Sequence, residues 1–77
     1  SILTIEQISL QELGRLMADI FNIVDATGKI KCEKLYDELE LKGWNISKEM
    51  IMVAINELTK EGEILFVGGI LLMDIDT

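Results

Sequence analysis

The chain has no proline, no histidine and one cysteine, Cys32. Its aromatic residues are only Phe21, Tyr36, Trp44 and Phe66. Each scarcity closes a class of function. Without histidine there is no Ser-His-Asp or Cys-His pair and no imidazole-ligated metal. One cysteine cannot form an internal disulfide, so a stapled scaffold is excluded. No apolar run approaches the ~20 residues of a bilayer-spanning helix. No basic segment followed by an apolar one opens the chain as a secretory leader would. Cations are scarce as well: 7 Lys and Arg face 14 Asp and Glu, a net charge of −7. Such a field repels extended polyanions.

Aliphatic residues are abundant, and the apolar fraction of 49% excludes a solvated, disordered tail. The length predicts a single domain over residues 1–77. A domain of this size buries only about 60% of its unfolded surface, so nearly every element must feed one core. Ser1 in place of an initiating Met reads as the start of a processed or excised domain. The expected setting is intracellular, either cytoplasmic or in the nucleoid or nucleus.

Residues 1–8 allow two readings, a short strand or a lead-in capped at Thr4 with Gln7. Ser9-Leu-Gln-Glu12 is a capping box. Behind it Leu10, Leu13, Met17, Ile20, Phe21 and Val24 recur at three- and four-residue steps, predicting an amphipathic helix that ends at Gly28. Gly28 to Lys31 suits a short extended bridge with Ile30 inward. Cys32 to Lys42 predicts a second helix with Leu35 and Leu39 in the core, Tyr36 and Leu41 at the flanks and Glu38–Lys42 as an i,i+4 pair. Ser47 caps a third helix whose buried stripe is Ile51, Ala54, Ile55 and Leu58. Lys60-Glu-Gly62 closes it. Glu63 to Val67 and Ile70 to Ile75 predict two strands joined at Gly68-Gly69, which both tolerate positive φ, as a primed two-residue turn requires.

The order is helix, short strand, helix, turn, helix, strand, turn, strand. Together with the passage Ser47 to Gly62 and its Leu58-Thr-Lys-Glu-Gly62-Glu-Ile64 ending, it resembles the winged-helix superfamily over residues 9–76. The resemblance implies an α+β fold: a three-helix winged helix-turn-helix with a short antiparallel β-hairpin wing. Looser similarity extends to the C-terminal winged helices of archaeal MCM helicases, through Glu61-Gly-Glu-Ile64. It extends also to those of the replication protein A middle subunit and of ESCRT-type assemblies. The chain departs from the MCM pattern in lacking a Pro-Gly wing tip and basic wing residues; its wing is hydrophobic.

DNA-binding winged helices place the third helix in the major groove and the wing on the backbone. Here the third helix is expected to expose Lys48, Glu49, Met52, Asn56, Thr59 and Lys60. Lys48, Asn56 and Lys60, with Lys29, Lys31 and Lys34 on phosphates, form the nucleic-acid candidates, acting in a dimer. The wing tip carries no cation. Its strands instead carry an apolar surplus. With Ile64 and Phe66 inward, Leu65 and Val67 face out, and Ile70 to Ile75 supply apolar residues to both faces. Leu65, Val67, Ile70 and Leu72, extended by Met52, form the candidate partner or self-association surface. The alternatives are that residues 1–8 cover this surface and that Met52 packs against the wing.

No enzyme, cofactor or small-molecule substrate is expected. Cys32 reads as a small buried hydrophobe near a helix start. Glu33, Asp37 and Glu40 read as a solvated acidic stripe, with a hard cation as the alternative. Gly68-Gly69 precedes no helix, so it is not a phosphate loop. Trp44 is expected to wedge beside Leu39 and Leu41, or else to anchor a partner.

Overall fold

The computed structural model describes residues 8–74. The two readings of residues 1–8 therefore lie outside the described residues, except that Ile8 packs against the core. The same holds for Ile75 at the end of the chain.

The elements are α1 (Leu10–Thr27), β1 (Lys29–Lys31), α2 (Cys32–Leu41), α3 (Lys48–Lys60), β2 (Ile64–Val67) and β3 (Ile70–Met73). The strands form one antiparallel sheet in the order β1-β3-β2. This is the three-helix α+β arrangement of the winged-helix type, with β2 and β3 as the wing hairpin and β1 completing the sheet on the far side of β3.

The helix starts follow from their caps. Ser9 Oγ accepts from the Glu12 amide at 3.1 Å, and the Ser9 amide donates to Glu12 Oε1 at 3.3 Å. Each bond satisfies a backbone or side-chain group that the helix itself leaves open. Ser47 Oγ accepts from the Met50 amide at 3.2 Å at the start of α3. At the wing tip Gly68 and Gly69 have φ of 60° and 77°. Both fall in the left-handed region that a primed turn needs and that a Cβ disfavours.

The core joins all six elements. Leu16, Ile20, Val24, Leu35, Leu39, Ala54, Ile55, Ile64 and Leu71 are shielded almost completely from solvent. The sheet's inner face carries Ile30, Ile64, Phe66, Leu71 and Met73 against α1 and α3.

Four expectations need correction. The buried face of α1 is Leu16, Ile20, Ile23 and Val24, while Leu10 is 87% exposed. At 18 residues α1 runs about 27 Å, against 10 residues in α2 and 13 in α3, and Leu10 lies about 120° around it from Leu16, off the buried face. Leu41, at 82% exposed, lies outside the core and offers Trp44 nothing to wedge against. No ion pair joins Glu38 and Lys42; the pair within 4 Å among the described residues is Lys60–Glu57 at 3.4 Å. Met52 is half-buried against the core rather than open to solvent, and Thr59 is half-buried too.

Candidate functional site

The site follows from register. In β3 the residues alternate faces, with Leu71 and Met73 inward and Ile70 and Leu72 outward. Partners across an antiparallel ladder share a face. Leu72 pairs with Leu65 on one side and Lys29 on the other. Ile70 pairs with Val67 and Lys31 in the same way. The outer face of the sheet is therefore two parallel rows, Lys29–Leu72–Leu65 and Lys31–Ile70–Val67. Burial follows the alternation in β2, where Leu65 is 43% and Val67 63% exposed while Ile64 is buried and Phe66 half-buried; in β3 Leu71 is buried and Ile70 and Leu72 are half-buried. Four of the five apolar candidates come together in this way. Met52 does not; it belongs to α3, which packs on the other side of the sheet.

The rows end in charge. On β1 the ammonium groups of Lys29 and Lys31 stand at one edge of the apolar strip. Lys34, in the first turn of α2, lines one shallow groove of about 500 Å³ with Lys29, Ile30 and Lys31. Beyond the Leu65–Leu72 row the ladder continues to Glu63 and Asp74, whose backbones bond at 3.4 Å (Asp74 amide to Glu63 carbonyl). The face is thus apolar over β3 and β2 and acidic at the end away from the hairpin, and along β1 it carries Lys29 and Lys31, with Glu38 and Glu33 lining the grooves beside them. Sequence inspection separates the lysines from the wing by some forty positions; only the β1–β3 pairing makes them one surface.

The nucleic-acid candidates are placed less coherently. Lys48 and Lys60 stand at opposite ends of α3, 12 residues or about 18 Å apart along its axis. Lys48 Nζ lies 5.2 Å from the centre of the Tyr36 ring, a cation–π contact. Lys60 is held by Glu57. Asn56 is exposed between them. Glu49 and Glu57 cancel the two cations, so α3 presents no net positive charge.

A second constellation lies between α2 and α3. A cleft of about 360 Å³ is lined by Tyr36, Trp44, Ile46 and Lys48, with Glu33, Asp37 and Glu40 at its rim. Trp44 is half-buried and fixed from α1: its Nε1–H donates to Asp19 Oδ2 at 2.7 Å, and Arg15 stacks on the ring at 5.5 Å. Cys32 is half-buried, and its Sγ shares a hydrogen bond of 3.5 Å with Tyr36 Oη. That bond, then burial, then the negative charge of the neighbouring Glu49 and Glu33 raise the Tyr36 phenol to about 12. Neither partner faces a histidine or an activated nucleophile. Among the described residues no group of three or more acidic or cysteine side chains gathers closely enough to hold a metal ion.

No helix among the described residues is long and apolar enough to cross a membrane. Comparison with models of known protein families, with curated proteins and with solved structures finds no match.

Proposed function

We propose that the chain is a non-catalytic protein-interaction domain that docks its partner on the outer face of the three-stranded sheet. The observation that carries this is the common face of Leu65, Val67, Ile70 and Leu72. Leu65 and Val67 are exposed and Ile70 and Leu72 half-buried beside them, and what apolar surface they leave in water is relieved of its unfavourable hydration only when something covers it. The helix that would read DNA in a winged helix offers no comparable feature. Its two lysines are engaged within the domain, and affinity for duplex rests on free cations meeting phosphates.

The test is a selection of random peptides displayed against the whole chain, repeated with Leu65→Lys. Binders lost on that substitution, in a variant whose circular dichroism is unchanged, support docking on the sheet. Recovery of the same binders by both proteins overturns it. A labelled duplex titrated in parallel at low salt is expected to stay unbound. Salt-sensitive binding to duplex that survives Leu65→Lys would instead return the role to α3.

A further inference from the structure

Resting on that assignment, we infer that the occupant of the sheet face is a short amphipathic helix with an acidic flank. Three observations fix its chemistry.

The first is the state of the cations. Arg15 stacks on Trp44, Lys48 on Tyr36, and Lys60 pairs with Glu57. Among the described residues Lys29, Lys31, Lys34 and Lys42 have no such internal contact. Lys29 and Lys31 end the two apolar rows, and Lys34 lines the adjoining groove with them and with Glu38. In a chain of net charge −7, the local field along β1 is the exception. A carboxylate placed there meets ammonium groups within the screening length of about 8 Å at physiological salt.

The second is size. Three strands spaced at about 4.8 Å span about 10 Å, and with two rows about 7 Å apart they define a patch on the order of 100 Å². A stable interface between globular partners needs about 800 Å² on each side. The patch is far too small for a second copy of the chain. It matches two to three turns of one helix, whose diameter is about 10 Å. The four side chains are spread across the face of β2 and β3 rather than confined to the edge strand β2, and a sheet face is covered by the apolar stripe of a helix.

The third is the distribution of the remaining charge. An extended polyanion, whether duplex or anionic membrane, meets the whole acidic surface of the domain. A short segment meets only the lysine edge. Glu63 and Asp74 at the far end of the face set the direction of the segment: its carboxylates run along β1, and no acid lies over the Glu63–Asp74 row.

The experiment uses peptides selected on the whole chain that depend on Leu65. Their composition is expected to show an apolar stripe at i, i+3, i+4 and i+7 with Asp and Glu in excess over Lys and Arg. Their affinity should fall about tenfold, or about 1.4 kcal/mol, in the triple variant Lys29→Glu, Lys31→Glu, Lys34→Glu. It should fall also as salt rises. The three lysines are solvent-exposed, so the fold survives their reversal, and thermal melting checks this. Leu65-dependent binders that are neutral or basic, or that ignore the triple variant, overturn the acidic partner while docking on the face stands. Absence of any Leu65-dependent binder overturns both. Vesicles with and without phosphatidylserine serve as a second probe: Leu65-dependent, phosphatidylserine-dependent binding without acidic peptides replaces the helix by a membrane. A concentration-dependent dimer in sedimentation that Leu65→Lys abolishes replaces it by a second copy.

Discussion

Leu71 and Leu65 sit in paired strands of the same hairpin and face opposite ways, so substituting each tests the outer face directly. Leu71 is 0% exposed, between Ile30 and Phe66 in the middle of the sheet. Truncation of such a leucine to alanine costs about 2–5 kcal/mol, made of lost transfer free energy and the cavity left behind. The ladders on both sides of β3 hold the backbone, so little collapse relieves the cavity. A 77-residue domain has a total stability of about 4–12 kcal/mol. Leu71→Ala therefore removes from about a sixth of it to all of it. Leu65 is 43% exposed, so a little over half of its surface is shielded. Full burial of a leucine is worth about 1.5–3 kcal/mol, which makes the stake at Leu65 about 1–1.5 kcal/mol. A lysine there recovers part of this by laying its methylene stem along Leu72 and holding the ammonium in water. The expected cost of Leu65→Lys is then about 1 kcal/mol or less. Urea unfolding followed by the fluorescence of Trp44, the single tryptophan, measures both. The two variants should differ at least twofold in destabilisation, with unchanged dependence on urea. If Leu65→Lys costs as much as Leu71→Ala, the outer face is covered within the folded chain and offers no docking surface.

Three further outcomes are expected. Tyr36 is the only tyrosine, so absorbance titration reports it alone: its ionisation should centre at about 12 and move back toward 10 in Cys32→Ala. Because the folded-state value lies above the ordinary one, the folded chain holds this proton longer. Its contribution to stability is complete below pH 10 and is lost as pH rises from about 10 to about 12. Gly69→Ala places a Cβ at φ 77° with no side chain nearby to clash. It should cost about 1–2 kcal/mol through backbone conformation alone, and Gly69→Asn less; thermal melting decides. Trp44→Phe removes the bond to Asp19 and should cost about 1 kcal/mol by circular dichroism. Asp19→Asn keeps an acceptor and the ring and should cost less; an equal loss would locate the effect in the charge of the Asp19 carboxylate rather than in the ring.

The helix caps, the glycine turn and the inward–outward alternation of β2 were legible because each depends on neighbours close in sequence. The rotation of α1 was not. Leu10 and Leu16 lie about 120° apart around the helix, and which of these two apolar sides is covered is decided by the elements packed beside it. Met52 failed for a related reason: its helical phase lies at the margin of the buried stripe, where neighbouring elements settle exposure. The apolar half of the sheet's outer face was visible as an excess of aliphatic residues in two strands. Its lysine edge was visible only as a separate basic cluster, since pairing between β1 and β3 is a tertiary event that no local pattern encodes.

That pairing also bears on how the domain assembles. Ile30 meets Leu71 across 41 positions of chain, and β3 is the common neighbour of both other strands. A growing chain presents three helices and two strands before either strand has anything to bond to. Contacts closed over such distances are the slow ones to form. A chain stopped after the hairpin turn would not lose one strand of three; it would lose the whole sheet, leaving Ile30, Ile64 and Phe66 without the strand that holds them in register. Completion of β3 is thus a checkpoint on the entire sheet, and a chain lacking it is expected to leave the apolar residues of β1 and β2 exposed in place of a shortened sheet.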